Sequence, residues 1–128
     1  MSYYFSKMLD APFDDAIVKV KAALAHEGFG VISEIDIRQT LKTKIGVEFR
    51  PYVILGACNP ALAHEALLLE DKVGLMLPCN VIVQEAGNGL MEVAAIDPAA
   101  SMQSIDNQAL QAQAARVGEK LQAALEQL

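Results

Sequence analysis

Two Cys-Asn pairs are the residues of this chain best suited to chemistry: Cys58-Asn59 in LGACNPALAHEAL and Cys79-Asn80 in LMLPCNVIV. They hold the only two cysteines of the chain, and each falls where an apolar run changes direction. Cys58 directly precedes a predicted helix start, where unpaired backbone N–H groups and the helix dipole favour a thiolate. The plainer reading is that a free cysteine, among the most buried residue types, fills a tight strand-to-helix turn. Pro78 breaks the segment before Cys79 and presents that cysteine at the start of a strand, again with a packed core thiol as the alternative. If the strand ending at Cys58 lies antiparallel beside the one beginning at Cys79, both thiols and the Asn59 and Asn80 amides meet at one end of the sheet. Such a neighbourhood suits a metal ion, a sulfur-transfer step or a polar small molecule. Parallel pairing separates them by a strand length.

Few other side chains join them. A metal held by Cys58 and Cys79 needs one or two further ligands, and His64 projects from its helix away from the core side. His26 ends a helix, where an imidazolium meets the C-terminal dipole favourably. Glu65 flanks Leu62 and Leu69 on the inner side of a helix, and Lys44 borders an apolar stripe on another. These two opposite charges are candidates to share a site with Cys58, or else both snorkel, stems on apolar surface and heads in water. No Ser-His-Asp or Cys-His spacing appears. Gly87 and Gly89 belong to a hairpin turn rather than a phosphate loop. The sequence specifies no cofactor.

The elements that must position these residues follow from periodicity. Tyr3 to Met8 reads as a strand, and Pro12 suits a helix start, with Phe13, Ile17, Val20 and Leu24 as its apolar stripe and Gly28 as its left-handed cap. Gly30 to Asp36 alternates as a strand. Asp36 then caps a short helix with Ile37, Leu41 and Ile45 on one side, ending near Gly46. Pro51 to Ala57 is apolar on both alternating sides, which predicts a central strand covered on both faces. Asn59 as N-cap and Pro60 as first helical residue begin a helix to about Glu70, with Leu62, Ala66 and Leu69 inward. After a connection at Val73 to Leu77, Cys79 to Glu85 and Leu90 to Ile96 form a hairpin around Ala-Gly-Asn-Gly. Pairing Ala86 with Leu90 sets Val83 against Val93, Val81 against Ala95 and Gln84 against Glu92, with Cys79 on the apolar side. From about Asn107 to the end, Leu110, Ala114, Val117, Leu121, Ala124, Leu125 and Leu128 make a long amphipathic helix whose weak point is Gly118. The order β-α-β-α-β-α-β-β-α predicts an α+β two-layer sandwich, a mixed sheet of about five strands with helices on one face.

The chain's 128 residues fit a single domain. A hydrophobic content of 53% with 20% charged residues excludes a disordered tail, and no apolar stretch is long enough to span a membrane. A net charge of -6 repels a polyanion, so neither nucleic acid nor membrane is an expected partner. The N-terminal MSYYFSKMLDAPF has no apolar run of signal-peptide length, and the expected compartment is the cytoplasm. The expected state of both cysteines there is the free thiol, although closing their loop would contribute on the order of 3 kcal/mol if oxidised.

The blocks EGFGVISEIDIRQTLKTKIG, YVILGACNPALAHEAL, GLMLPCNVIVQE and VAAIDP, taken together, resemble DUF302, a family of small bacterial and archaeal proteins known as a domain of unknown function. The resemblance spans roughly residues 3 to 105. It implies a compact α+β domain, often a homodimer, with Cys58-Asn59-Pro60 and Pro78-Cys79-Asn80 in its two most recognisable motifs. Met76 stands where the family commonly has leucine. The resemblance carries no agreed reaction, cofactor or substrate.

Three functions are open. The leading one is a homodimeric module that binds a small ligand or metal ion at the sheet end through Cys58, Asn59, Cys79 and Asn80. The second is a structural or interaction domain whose cysteines are core, with Ile54 and Ile82 on a dimer surface. The third is a thiol or sulfur-transfer enzyme with Cys58 as nucleophile and Glu65 or Lys44 assisting proton movement.

Overall fold

Short polar side chains start four of the helices. Oδ1 of Asp36 accepts from Gln39 N at 2.9 Å, Oδ1 of Asn59 from Leu62 N at 3.3 Å, Oδ1 of Asp97 from Ala99 N at 3.1 Å, and Oδ1 of Asn107 from Leu110 N at 3.0 Å. Each satisfies one of the N–H groups that a helix start leaves without an intrahelical partner. In a computed structural model that describes residues 2–128, the chain runs β1 (Tyr4–Leu9), α1 (Phe13–His26), β2 (Gly30–Asp36), α2 (Ile37–Ile45), β3 (Tyr52–Cys58) and α3 (Pro60–Leu69). A 3-10 helix (Asp71–Met76) follows, then β4 (Cys79–Gly87), β5 (Leu90–Ile96), a single turn α4 (Pro98–Ser101) and the long α5 (Gln108–Glu126). The 3-10 helix and α4 are short elements that periodicity did not separate from their connections.

The five strands form one sheet in the order β1-β5-β4-β3-β2. Every neighbouring pair is antiparallel, where a mixed sheet was expected. The reason lies in how the helices connect. α2 follows Asp36, whose ladder partner is Val53 near the start of β3, and α3 leaves from Cys58 while β4 re-enters at Cys79, the partner of Ala57. In both cases the chain rejoins the sheet at the end it left, so the helix lies within a long hairpin connection. Only α1 carries the chain from one edge strand to the other.

The β4–β5 register sets Val81 against Ala95, Val83 against Val93 and Gln84 against Glu92. A bulge at Ala86 makes Gly87, not Ala86, the partner of Leu90. On the helical side Val53, Leu55 and Ala57 of β3, Cys79, Val81 and Val83 of β4, and Val93 and Ala95 of β5 pack against Val20 and Leu24 of α1 and Leu121 and Leu125 of α5. Burial of each large aliphatic side chain contributes about 1.5–3 kcal/mol. A second apolar cluster gathers Ala66, Val73, Met102, Leu110 and Ala114 beyond the end of the sheet. Gly118 is buried in mid-helix beside α4, where a Cβ would make ordinary contacts at 3.4 Å with Asp97 Oδ1 and 3.5 Å with Pro98 Cδ, so the approach of α5 does not require glycine.

The middle strand is β4, and β3, expected at the centre, is second from the edge. Its second face is not covered by helices: Ile54 pairs with Ile35 and Ile82, and Ile82 with Ala94, as an apolar row on the open side of the sheet. Leu69, expected inward, is exposed because α3 ends there and the chain turns extended at Glu70. Among the described residues no helix is long and apolar enough to cross a membrane.

Candidate functional site

The two cysteines reach one place because β3 and β4 are antiparallel. Ala57 pairs with Cys79 and Gly56 with Asn80, so Cys58, the last residue of β3, falls beside the start of β4. Both cysteines are free thiols and both line a cavity of about 290 Å³ between the sheet end and helices α3, α4 and α5. The cavity lies at the junction of the two apolar clusters. Phe29, Ala57, Leu62, Cys79 and Val117 belong to or pack on the first, and Ala66, Leu77, Met102 and Ala114 on the second. Among the described residues no charged one lines it.

Local structure fixes each wall. Asn59 caps α3 through Oδ1, and its Nδ2 rests on Gly28, where an added Cβ would lie 2.9 Å away. Gly28 has φ +87°, so glycine both makes the turn after α1 and leaves room for the Asn59 amide. Pro78 closes over Gly56, where a Cβ would collide with Ser33 Oγ and lie 2.8 Å from Pro78 Cγ. A bulge in β2 between Val31 and Ser33 sends Ile32 to the rim, where it is largely exposed, as is Leu67 of α3 across from it on the lining.

The thiols differ in their surroundings. Cys79 is only 7% exposed, and burial pushes its pKa up to about 11, with the neighbouring Cys58 adding to the rise because two thiolates side by side repel. Cys58 is half-buried and reaches the cavity from the helix-start side.

The remaining residues singled out from the sequence lie elsewhere. Asn80 opposes Gly56 and faces the open side of the sheet, beside Ile82 and Gln84, not the cavity. Glu65 does not point toward the sheet end; it is exposed and pairs with Arg116 of α5 at 3.6 Å, so the expected Lys44 partner is replaced by an arginine. Lys44 lies on α2, which leaves the sheet at Asp36 and returns to it at Tyr52, the end of β3 opposite Cys58. His64 and His26 are exposed. Among the described residues no group of three or more His, Cys, Asp or Glu side chains could hold a metal ion, and two thiols alone fall short of the four ligands of a structural zinc site.

Gln113 is the residue that periodicity passed over. It is 4% exposed, lines the cavity, and donates from Nε2 to the Leu62 carbonyl, tying α5 to α3. Its signal was available: it stands three residues after Leu110 and four before Val117, a polar residue inside the apolar stripe of the last helix. Met102, on the turn after α4, had no such signal.

No curated protein matches the chain. A crystal structure of an uncharacterized conserved protein DUF302 from Bacillus stearothermophilus has the same fold, with a TM-score of 0.91, 28% sequence identity and 98% of each chain covered. The profile of the domain of unknown function DUF302 matches residues 5–128, and the chain belongs to that family.

Proposed function

We propose that this domain is a binding module for a small, mainly apolar molecule, held in the cavity at the end of the sheet with Cys58 and Cys79 in its wall. The observation that carries this reading is the cavity itself. Close-packed interiors leave few voids larger than a water molecule, whereas this one, at about 290 Å³, is near the lower bound for ligand pockets and has an exposed rim at Ile32 and Leu67. The donor set does not favour a metal ion, and no base stands beside either thiol to favour an enzyme. Titration with naphthalene, followed through the backbone amide resonances of Ala66, Cys79 and Ala114, tests the reading. Saturable shifts that disappear in Ala63→Phe, which fills the cavity from α3, support it. Absence of shifts up to the solubility limit sinks it.

A second reading concerns a partner, a second copy of this chain on the open side of the sheet. The row Ile35-Ile54-Ile82-Ala94 favours it. Five strands about 4.8 Å apart and about 20 Å long offer roughly 500 Å², and two copies together roughly the 1,000 Å² that a specific interface needs. The expected mass in solution is twice 13.8 kDa, reduced to one copy by Ile82→Lys. A monomer at micromolar concentration rules it out.

A further inference from the structure

Resting on the proposed binding role of the cavity, we infer that its ligand is a neutral molecule with an apolar body of about two fused rings and one hydrogen-bond donor, and that Gln113 Oε1 is the acceptor that selects it.

The orientation of the Gln113 amide follows from its partner. The Leu62 carbonyl can only accept, so the side-chain nitrogen must face it, and Oε1 must point the other way. No donor among the described residues meets that oxygen, and no buried side-chain oxygen or nitrogen is left both sealed and unpartnered. Oε1 therefore keeps some accessible surface on a residue only 4% exposed, and since Gln113 lines the cavity we take that surface to face it. An acceptor in an apolar wall with no protein donor gains its hydrogen bond from whatever enters the cavity, and a ligand donor supplies it. The rest of the lining is apolar apart from the two thiols and the Asn59 amide.

Charge and size narrow the class further. With no cationic or anionic side chain in the wall, a carboxylate or phosphate would enter without compensation for its lost hydration. A dry apolar cavity of about 150 Å³ takes benzene, and the present one, at about 290 Å³, has room for roughly two fused rings. Phenols, indoles and similar flat molecules with an O–H or N–H fit these terms.

The test compares 2-naphthol, naphthalene and 2-naphthoate on the full chain at pH 7 by calorimetry. The expected order is naphthol about two- to tenfold tighter than naphthalene, the range of one neutral hydrogen bond, with naphthoate at least about tenfold weaker than naphthalene. In Gln113→Met the naphthol preference falls to about one while naphthalene still binds. Should that variant not fold, the side-chain amide resonances of Gln113 in the natural chain serve instead: naphthol moves the Nε2 protons downfield beyond the ring-current change that naphthalene gives, and equal changes with both overturn the inference. Equal binding of naphthol and naphthalene to the natural chain, or a preference that persists in Gln113→Met, overturns the inference and leaves the cavity as a binding site. Binding by none of the three overturns both.

Discussion

Cys79 stands across the β3–β4 ladder from Ala57, so Cys58 follows its neighbour's partner by one residue and the two thiols share a cavity wall, one buried and one half-buried. This relationship predicts unequal reactivity. The thiolate is the reactive form, and raising the Cys79 pKa from 9.0 to about 11 leaves it about a hundredth as much thiolate at neutral pH. Alkylation at pH 8 is expected in two phases, the half-buried Cys58 first and the buried Cys79 more slowly. Peptide mapping after each phase assigns them. Modification of both at one rate would show that the buried thiol is not withdrawn as described.

The same shift predicts a pH dependence of stability. A folded-state pKa above the unfolded value means that the unfolded chain loses the Cys79 proton first as pH rises. The contribution is therefore intact below about pH 9 and is lost progressively toward about pH 11. Two units correspond to about 2–3 kcal/mol at most. Urea denaturation of the natural chain and Cys79→Ala at pH 8 and pH 10.5 checks it. Cys79→Ala is less stable at pH 8, since it deletes a buried side chain, but the gap narrows at pH 10.5. A gap that stays constant contradicts the assignment.

What the sequence disclosed about this molecule depended on whether a feature was local. Asp36 and Asn59 announced their helices because a cap acts within three residues, and the hairpin register emerged from the alternation of Val81, Val83, Val93 and Ala95. The cavity did not emerge, because its wall is assembled from five separate stretches of chain, 29–32, 57–67, 77–79, 98–102 and 113–117. Charge pairing was also out of reach: Glu65 and Lys44 looked complementary, but the order of strands sends α2 to the opposite end of the sheet and brings Arg116 beside Glu65. The apolar second side of β3 read as burial, whereas Ile54 shares an open face with Ile82.

Gly56 is predicted to tolerate no side chain. It lies within β3, where a glycine weakens a strand unless something approaches closely, and here a Cβ would collide with Ser33 Oγ and lie 2.8 Å from Pro78 Cγ. Gly56→Ala is expected to cost about 1–3 kcal/mol through overpacking, measured by chemical denaturation. Ser33→Gly in the same chain should recover part of that loss by removing the nearer atom. Gly56→Ala with unchanged stability would show that neither neighbour constrains the strand.

Asn107 joins the two helices that wall the cavity, and a graded pair of substitutions separates its two roles. Its Oδ1 caps α5 by accepting from Leu110 N at 3.0 Å, while Nδ2 donates to the Leu69 carbonyl at the end of α3 at 2.9 Å. Asn107→Ala loses both and is expected to cost about 2 kcal/mol, the sum of a cap of about 1 and a net hydrogen bond of about 1. Asn107→Asp keeps the cap, gains from a negative charge at a helix start, and loses only the tie to Leu69. Thermal and urea denaturation should therefore rank the natural chain first, Asn107→Asp next and Asn107→Ala last. Because α3 supplies Leu62, Ala63, Ala66 and Leu67 to the cavity wall, loosening its C-terminal end should also weaken naphthalene binding in both variants by a similar factor. If only Asn107→Ala loses affinity, the tie to Leu69 does not hold the wall and the effect comes from fraying of α5.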